Sequence, residues 1–461
     1  MDSIILRTDS YKITHWKQYP KNTTHVYSYF ESRGGDYTHT LFFGLQYYLK
    51  KYLVGPRVTH AAIEEAEKFT LDHFGVPGLF NKDGWLHVIN DHNGTIPVVI
   101  KAAREGSIIP VKNVLFTVEN TCPKCFWVTS YLETLLEKVW YPTTIATKSY
   151  FQKQVIKKYL SLTGDDIPDF KLHDFGYRGS SSEESAGIGG MAHLINFKGT
   201  DTLAGIRYAQ GWYGMKDMPA FSVPAAEHST ITAWGRNNEA EAYENMLDQF
   251  PTGLVAVVSD SYDVYNAVLK IWGDKLKDKV ENRKGTLIIR PDSGQPIVVL
   301  LNVLNTLGAI FGVRVNKKGY KVLPPYVRLI QGDGIDEQTL PAILEGLADH
   351  KWSADNLAFG SGGGLLQNVN RDTLRFAYKC SNVTIDGEDR AVYKDPVTDP
   401  GKKSKKGRLG LAMDANGKYE TVEITKESET GRLETVFEDG ELLIDQKFDD
   451  IRKLADINYA L

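Results

Sequence analysis

Leu254-Val-Ala-Val-Val258 runs directly into Ser259-Asp-Ser-Tyr-Asp263, and this stretch shows how the middle of the chain is built. A short apolar run is typical of a buried β-strand, a polar cluster ends it, and a helix-like pattern follows. The same order occurs six times, as Lys171–Leu172 with 173–179, Leu194–Phe197 with 198–201, Leu254–Val258 with 259–263, Leu287–Ile289 with 290–294, Val327–Ile330 with 331–336, and Leu357–Phe359 with 360–364. Alternating strands and helices predict an α/β barrel with parallel strands, in which the polar clusters meet at the carboxyl ends of the strands.

The composition narrows the class of protein. The chain has 461 residues, of which 42% are hydrophobic and 24% charged, which is typical of a globular protein large enough for two domains. The formal net charge of −4 gives no overall field that would attract nucleic acid. No apolar run approaches the ~20 residues of a membrane span, and the N-terminus lacks a signal-peptide pattern. We therefore expect a cytoplasmic protein with no nucleic-acid or membrane partner.

The three cysteines do not predict a disulfide framework. Cys122 and Cys125 form one Cys-Pro-Lys-Cys motif, and Cys380 lies far away along the chain. A zinc site would need two more ligands, and a redox-active pair is a second alternative. Two ordinary thiols in a turn are the favoured interpretation, so no metal ligand is predicted. This cysteine usage suits a reducing compartment.

The two ends of the chain carry other patterns. Helix-like periodicity covers 57–75 and 126–160, whereas Ile96–Ala102 and Gly106–Val118 are typical of strands broken by glycine and proline. This first third predicts a mixed α+β unit. Strand-like segments follow the middle third and end near Lys453.

A basic, glycine-flanked segment, 401–408, lies in the last part of the chain. It suits a solvated surface loop, a nucleic-acid contact, or lysines that close over a polyphosphate substrate. The negative net charge argues against the second alternative, and the first and third stay open.

The segment Ser222–Gly235 contains a histidine, His228, behind a glutamate and ahead of a run of hydroxyls. Ser229, Thr230 and Thr232 are predicted to cap a following helix, whose first turn favours anions. His228 then suits a proton shuttle, a phosphate ligand or a nucleophile toward phosphate, and a loop-capping histidine is the alternative.

Three arginines stand beside glycine or aspartate in loop-like contexts, and their planar forks suit phosphate: Arg178, Arg290 and Arg371. The glycine-rich turn 360–364 is predicted to cradle phosphate, because backbone N–H groups approach an anion closely where side chains are absent. Helix capping is the alternative for the nearby carboxylates, which are Asp201, Asp260, Asp292, Asp333 and Asp336. The glycine spacing does not fit a dinucleotide fingerprint, and the chain has neither a Walker motif nor His-Glu-x-x-His.

Seven motifs in order along the chain resemble the nicotinamide phosphoribosyltransferase family of type II phosphoribosyltransferases. They are Thr8-Asp-Ser-Tyr-Lys12, His173-Asp-Phe-Gly-Tyr-Arg-Gly179, Asn196-Phe-Lys-Gly-Thr-Asp201, Pro224-Ala-Ala-Glu-His-Ser-Thr230, Ile289-Arg-Pro-Asp-Ser-Gly294, Gln331-Gly-Asp-Gly334 and Ser404-Lys-Lys-Gly-Arg408. The resemblance implies an irregular α/β barrel over 161–384, beside an α+β domain formed by 1–160 with 385–461. It also implies a homodimer with shared active sites.

The family resemblance further implies that nicotinamide and 5-phosphoribosyl 1-pyrophosphate give nicotinamide mononucleotide and pyrophosphate. ATP is then a co-substrate that is hydrolysed through a phosphohistidine intermediate. Mg²⁺ accompanies the pyrophosphate. His228 is the implied phosphohistidine, with Glu227 and Asp260 around it. An acidic partner fixes the tautomer of such a histidine and stabilises the imidazolium.

The resemblance also implies the substrate-binding residues. Nicotinamide stacks between Phe175 and the Tyr11 of the other subunit, and Asp201 accepts a hydrogen bond from its carboxamide while repelling the carboxylate of nicotinic acid. The residues implied for phosphoribosyl pyrophosphate are Asp292 and Asp333 at the ribose, Gly332, Gly362, Gly363, Arg371 and Lys379 at the 5′-phosphate, and Arg178, Arg290, Arg33, Lys394 and Lys402 at the pyrophosphate.

One position departs from the family pattern, since Ala377 stands where a phosphate-binding serine is often found. Two rival functions remain from the sequence: a nicotinic-acid phosphoribosyltransferase of the same fold, and a binding protein without turnover. Asp201 discriminates against the first, and the presence of His228, Arg290 and Asp292 argues against the second. A phosphosugar aldolase or isomerase lacks the lysine or clustered ligands that it would need.

Overall fold

The computed structural model describes residues 3–398, 403–425 and 431–457, and these divide into two compact units. The first unit combines both chain ends, Met1–Thr147 and Val369–Leu461, with the short segment Gln210–Met215. The second unit is the middle of the chain, Lys148–Ala209 and Lys216–Asn368. The domain boundaries expected after residues 160 and 384 stay a prediction.

The strands of the described residues are 2 to 10 residues long, and the predicted strand region 96–118 is divided into three of them. In chain order they are β1 (Thr23–Ser32), β2 (His39–Leu41), β3 (Val98–Ala102), β4 (Ile108–Pro110), β5 (Val114–Asn120), β6 (Leu172–Asp174), β7 (Gly199–Thr200), β8 (Thr252–Val258), β9 (Lys284–Arg290), β10 (Arg314–Val315), β11 (Lys321–Val322), β12 (Val327–Gln331), β13 (Leu357–Ser361), β14 (Phe376–Ile385), β15 (Glu388–Ala391), β16 (Arg408–Met413), β17 (Tyr419–Ile424), β18 (Glu434–Glu438) and β19 (Glu441–Leu442).

The α-helices range from single turns to the 24-residue α6. In chain order they are α1 (Leu45–Tyr48), α2 (His60–Phe74), α3 (Lys82–His92), α4 (Val128–Tyr131), α5 (Glu133–Leu136), α6 (Trp140–Thr163), α7 (Glu183–His193), α8 (Leu203–Tyr213), α9 (His228–Thr232), α10 (Glu239–Gln249), α11 (Val264–Asn266), α12 (Lys277–Asn282), α13 (Pro296–Phe311), α14 (Thr339–Asp349), α15 (Gly363–Leu366) and α16 (Phe448–Ile457). Within the described residues, no helix is both long enough and apolar enough to cross a bilayer.

The second unit contains a six-stranded parallel sheet in the order β7-β6-β13-β12-β9-β8. Two parallel bridges outside the strands join Gly199 to Phe221 and Ala225 to Ala256. The segment around 221–225 therefore connects the edge strands β7 and β8 and closes the sheet into an irregular barrel. The predicted fold class is confirmed by this topology.

The apolar strand residues are buried because they pack against the surrounding helices. A single cluster unites strand residues Leu172, Val255, Leu287, Leu329 and Leu357 with residues of α13, which are Leu300, Val303, Leu304 and Leu307. A parallel sheet requires helices on its faces, because its strands would otherwise expose apolar side chains to solvent. The crossover connections supply these helices.

One of the six predicted strands is wrong. Leu194–Phe197 is not extended, because the Leu194 N–H still bonds to the Gly190 carbonyl at the end of α7. The strand is the following pair, Gly199–Thr200. Leu194, Ile195 and Phe197 are all at most 3% exposed, so burial on every side removed the periodicity that separates helix from strand.

The first unit is built on a seven-stranded sheet in the order β15-β14-β1-β5-β3-β18-β19. Neighbouring strands are antiparallel, and β1 from the start of the chain pairs with β14 from its last quarter along most of its length. Phe30 stacks between Phe116 and Phe376, with ring centroids 4.6 and 5.0 Å away. The α+β unit made from both chain ends is therefore confirmed.

The end of the chain departs from the sequence prediction. Strand-like segments do not continue to Lys453, because α16 covers Phe448–Ile457. Phe448, Ile451 and Ala455 are its buried residues, at the spacing of one helix face.

Candidate active site

A cavity of about 520 Å³ lies inside the barrel of the second unit. Phe175, Asp201 and Arg290, three of the predicted substrate-binding residues, line it. They come from three different strand ends, β6, β7 and β9, which the parallel sheet brings to one rim. A flat aromatic ring, a carboxylate and a guanidinium thus face one cavity.

Phe175 is fixed by its backbone and by Gly360. Its N–H donates to the Ser361 carbonyl at 2.9 Å. Its ring lies so close to Gly360 that a Cβ on that glycine would be 1.9 Å from the ring carbon Cε2. Gly360 therefore has no side chain for a packing reason: it makes room for the ring.

Gly332 marks the point where four predicted residues meet. A Cβ placed on it would lie 3.3 Å from Asp292 Oδ1, 3.5 Å from Phe175 Cε2 and 3.6 Å from Arg290 Cδ. The Arg290 guanidinium is 3.9 Å from the Asp292 carboxylate. A ligand at this glycine would contact a ring, a cation and an anion together.

Asp201 lies just after β7, at the rim of the cavity. The Ser222 hydroxyl donates to its Oδ1, and its own N–H donates to the Asp174 carbonyl at 2.9 Å. Ser222 belongs to the segment that closes the barrel, so Asp201 is held from two sides. One carboxylate oxygen is taken by Ser222, and the carboxylate has a second oxygen for a ligand.

Asp174 is a functional candidate that sequence reasoning missed. Burial raises the pKa of its carboxyl to about 6, the Gly176 N–H and the Thr202 hydroxyl oppose this shift, and the Asp201 charge adds to it. Its neighbour His173 has a pKa lowered by burial, which the Asp201 charge partly offsets. The signal was the polar dipeptide His173-Asp174 inside an otherwise buried strand.

His228 and Asp260 form a hydrogen-bonded pair, the second group of predicted residues that the structure brings together. His228 Nε2 lies 2.8 Å from Asp260 Oδ1, and His228 is 47% exposed whereas Asp260 is 4% exposed. The other oxygen, Oδ2, accepts from Ser293 Oγ at 2.6 Å and from the Asp292 N–H at 3.0 Å. Burial opposes ionisation of Asp260, yet Ser293, His228 and the Asp292 N–H together lower its pKa.

Of the three hydroxyls after His228 that were predicted to cap a helix, Thr230 does so, as part of a capping box with Glu227. Helix α9 begins at His228 itself, with Glu227 at its N-cap, so Ser229, Thr230 and Thr232 lie inside it. The Glu227 carboxylate accepts from the Ser229 hydroxyl, and the Glu227 N–H donates to Thr230 Oγ1 at 3.3 Å. Glu227 therefore shapes the start of the helix, and its carboxylate is bonded to Ser229.

The glycine turn after β13 lies beside the turn after β6. A Cβ on Gly362 would sit 3.6 Å from the Phe175 carbonyl, and one on Gly179 would sit 3.6 Å from Gly363. Arg178 precedes Gly179 and is exposed. The structure thus brings the predicted phosphate cradle, Gly362 and Gly363, next to a predicted phosphate arginine.

The remaining carboxylates of this unit separate into two kinds. Asp336 accepts from the Gln338 and Thr339 N–H groups, both at 2.8 Å, so it caps α14 and the capping alternative holds for it. Asp333 is exposed, and its carbonyl accepts from Gln331 at 2.9 Å. Its role at the ribose stays a prediction.

Two predicted phosphate ligands in the first unit already have acidic neighbours. Arg371 lies 3.9 Å from Glu137, and Lys379 lies 3.7 Å from Glu133. Ala377, between them, is buried in β14 at 2% exposure. Binding of phosphate by this pair would have to compete with the two carboxylates.

The other predicted residues of the first unit are Tyr11, Arg33, Lys394 and Lys402. Tyr11 is 57% exposed, and its ring packs edge-on against His15 at 4.9 Å. The backbone N–H of Lys394 bonds to Ser404 at 3.0 Å, and the Arg33 N–H bonds to the Arg375 carbonyl at 3.2 Å. Lys402 lies outside the described residues. Substrate binding by these four residues stays a prediction.

The basic segment is partly neutralised by its own unit. Lys403 pairs with Asp395 at 2.8 Å, Lys405 pairs with Glu31, and Arg408 pairs with Glu119. These pairs favour the surface-loop interpretation for the cations that take part in them.

Comparisons with known proteins identify the family. The profile of the nicotinate phosphoribosyltransferase (NAPRTase) family matches residues 170–441, and that of the nicotinamide phosphoribosyltransferase N-terminal domain matches residues 3–100. A nicotinamide phosphoribosyltransferase of Xanthomonas campestris pv. campestris (strain 8004) is 49% identical, over 99% of this chain and 98% of that protein. This chain belongs to the nicotinamide phosphoribosyltransferase family. The resemblance carried by the sequence motifs is thereby confirmed, and so is the assignment to the phosphoribosyltransferase class of enzymes.

Two further similarities agree with this family. A nicotinamide phosphoribosyltransferase of Acinetobacter baylyi (strain ATCC 33305 / BD413 / ADP1) is 33% identical, over 96% of this chain and 95% of that protein. The crystal structure of nicotinate-nucleotide pyrophosphorylase from Pyrococcus furiosus matches with a TM-score of 0.63, at 18% identity, over 99% of this chain and 96% of that chain. At that identity the second similarity supports the fold alone.

Proposed function

We propose that this protein joins nicotinamide to 5-phosphoribosyl 1-pyrophosphate, giving nicotinamide mononucleotide and pyrophosphate for NAD salvage. The observation that carries the proposal is that Phe175, Asp201 and Arg290 line one cavity. A pyridine carboxamide needs a flat apolar face and a hydrogen-bond acceptor, and a pyrophosphate needs a cation. The three side chains supply these within one cavity.

Asp201 is proposed to select the amide over the acid. Its carboxylate accepts the Ser222 hydroxyl on one oxygen and is proposed to accept the carboxamide NH₂ of nicotinamide on the other. Nicotinic acid would place a second negative charge against this carboxylate, and like charges in contact cost several kcal/mol.

The transfer itself is proposed to depend on charge stabilisation. The pyridine nitrogen donates its lone pair to the anomeric carbon of the ribose, and the bond from that carbon to the pyrophosphate oxygen breaks. Positive charge develops on the sugar and negative charge on the leaving group, which Arg290 and Arg178 stabilise from the rim. Asp292 is proposed to bind ribose hydroxyls. No proton has to leave nicotinamide, so no general base is required.

ATP is the proposed co-substrate, and His228 the proposed acceptor of its γ-phosphoryl group: an N–P bond forms, the bond from the γ-phosphorus to the bridging oxygen breaks, and ADP leaves. Asp260 at Nε2 keeps the proton on that nitrogen, so the lone pair of Nδ1 is the nucleophile. Mg²⁺ is proposed to arrive bound to the polyphosphates, whose oxygens suit this hard cation and whose charge it neutralises. We further propose a homodimer in which the exposed Tyr11 ring covers the base in the other subunit.

The direct test measures mononucleotide formation from phosphoribosyl pyrophosphate and Mg²⁺, with nicotinamide and nicotinic acid in parallel, each with and without ATP. We expect product from the amide, increased by ATP. Asp201→Asn should reduce the preference for the amide at least about 10-fold, since one like-charge contact is removed. Asp217→Asn is the matched control, because Asp217 is exposed and does not line the cavity.

Each outcome separates the alternatives. Product mainly from nicotinic acid would show that the substrate is the acid and not the amide. The proposed phosphate-binding residues would be unaffected by that result. No product from either base would favour a binding protein without turnover. An unchanged amide preference in Asp201→Asn would remove Asp201 from base selection.

A further inference from the structure

Two cysteines and two histidines of the first unit, none of them proposed for the reaction, converge in one cluster. His87, His92, Cys122 and Cys125 each offer one ligand atom, and these four atoms lie within 4.8 Å of one another. In a tetrahedral zinc site the same edges measure about 3.3–3.8 Å, given metal bonds of about 2.0–2.3 Å. Small side-chain rotations therefore suffice to bring the four atoms onto one ion.

The ligands stand on well-anchored backbone. His87 and His92 lie on the last turns of α3, and the carbonyl of His92 accepts from the Thr95 N–H at 2.9 Å. Cys122 and Cys125 flank a single tight turn just after β5, in which the Cys125 N–H donates to the Cys122 carbonyl at 2.9 Å. Asn120 also donates to that carbonyl, at 2.8 Å.

A second, independent observation comes from the imidazoles. His92 Nε2 is buried and has no hydrogen-bond partner among the described residues. A buried polar atom without a partner is costly, so such an atom in a native fold calls for a ligand. Here the atom belongs to a side chain whose ring lies 5.4 Å from that of His87, in the same cluster.

His87 is already oriented as a metal ligand. Its Nδ1 lies 2.7 Å from the Asp91 carboxylate, which holds the proton on that nitrogen. Its Nε2 is then the nitrogen with the lone pair, and it lies 3.3 Å from Cys122 Sγ. A zinc-bound imidazole commonly donates its other N–H to a carboxylate, which fixes the tautomer and raises the basicity of the ring.

We propose that His87, His92, Cys122 and Cys125 bind one Zn²⁺ ion in a structural site. Two thiolates and two imidazoles suit zinc, whereas Mg²⁺ and Ca²⁺ prefer oxygen ligands. On binding, the two thiols release their protons to solvent, and the two thiolates balance the charge of the ion. Four protein ligands leave no open position for a substrate, so the ion joins the end of α3 to the turn after β5.

The first experiment measures metal in the full-length protein, purified under reducing conditions and reconstituted with Zn²⁺. After desalting, elemental analysis should find about one zinc per chain. Cys122→Ser and His92→Gln should each lower this content at least about 10-fold, because a three-ligand site binds far more weakly. Cys380→Ser is the matched control, since this half-buried thiol lies outside the cluster.

The second experiment needs no variant. Chelation of the unmodified protein followed by Co²⁺ should give the visible absorption of a tetrahedral cobalt site with thiolate charge transfer. Chelation should also lower the Tm, because an ion bound only to the folded state stabilises it. Absence of zinc and of the cobalt spectrum in folded protein would overturn the proposal. Unchanged zinc content in Cys122→Ser would do so too, and so would a Cys122–Cys125 disulfide in the reconstituted protein.

Discussion

Replacing Gly360 by alanine tests whether the position of the Phe175 ring controls nicotinamide binding. The added Cβ would lie 1.9 Å from Phe175 Cε2 and 2.2 Å from Cδ2, so the ring must move by about 1.5 Å to restore an ordinary contact of 3.4 Å. A misplacement of about 1 Å in a binding site can cost about 100-fold in rate. We therefore expect kcat/KM for nicotinamide to fall about 100-fold, equivalent to about 3 kcal/mol.

The assay is steady-state mononucleotide formation with nicotinamide varied at saturating phosphoribosyl pyrophosphate. The Tm should fall as well, because overpacking a buried site costs about 1–3 kcal/mol. Gly211→Ala is the matched control: Gly211 lies in α8, and a Cβ there would meet nothing within 4 Å. This control should keep full activity and gain slightly in Tm, since alanine is the better helix former.

A double mutant separates the ring from a general loss of fold. If Gly360→Ala acts through Phe175, it should cost little further activity in a Phe175→Ala background, because the effects of substitutions at two contacting residues do not add. A folded Gly360→Ala protein whose kcat/KM for nicotinamide stays within about 2-fold of the unmodified protein would refute the reasoning. Full additivity in the double mutant would refute it equally.

Three further predictions follow from the contacts. Asp260→Asn should lower the ATP-stimulated rate about 10- to 100-fold, because His228 loses a charge-assisted hydrogen bond, and should leave the rate without ATP nearly unchanged. Asp174→Asn should gain about 2 kcal/mol of stability relative to the unmodified protein as the pH rises from about 4 to 6, measured by denaturation at each pH. Phe448→Ala should cost about 3–5 kcal/mol, visible as a lower Tm, because this fully buried ring packs against Phe43 and Tyr213.

The sign of the Asp174 effect follows from its raised pKa. The folded protein holds the proton more tightly than the unfolded chain, so this stabilisation is complete below about pH 4 and is lost as the pH rises through about 6. Asparagine does not titrate, so a stability difference that stays constant over this range would contradict the prediction. ATP stimulation that survives Asp260→Asn would remove Asp260 from the coupling, and an unchanged Tm in Phe448→Ala would show that α16 contributes little to its unit.

The fold was predictable wherever local pattern and burial agreed. Strands such as β8 and β12 are apolar runs of strand length that end in polar or glycine residues, and those features are local in sequence. The prediction of a strand at Leu194–Phe197 was wrong because this segment is apolar and buried on all sides, so it shows no hydrophobic periodicity that distinguishes a strand from a helix. The terminal helix α16 was missed although its buried face recurs at helical spacing.

The candidate site was predictable as a set of residue types and only partly as an arrangement. The motifs named Phe175, Asp201 and Arg290, and the parallel sheet explains why these strand ends, so far apart in sequence, share one rim. They also named His228, which lies at the start of α9. The sequence could not show that Asp174 is buried beneath Asp201, because burial depends on what the rest of the chain packs over a position.

By itself, the sequence determined the family and most of the order of strands and helices, and it named the residues proposed to carry the chemistry, because these depend on neighbours along the chain. The tertiary structure alone decided which groups meet across it. It set the Phe175 ring on Gly360, gave Asp260 its three hydrogen-bond donors, and brought His87 and His92 to the Cys122–Cys125 turn. Such contacts form only when distant segments pack together, and the distances that govern their energies do not exist in the unfolded chain.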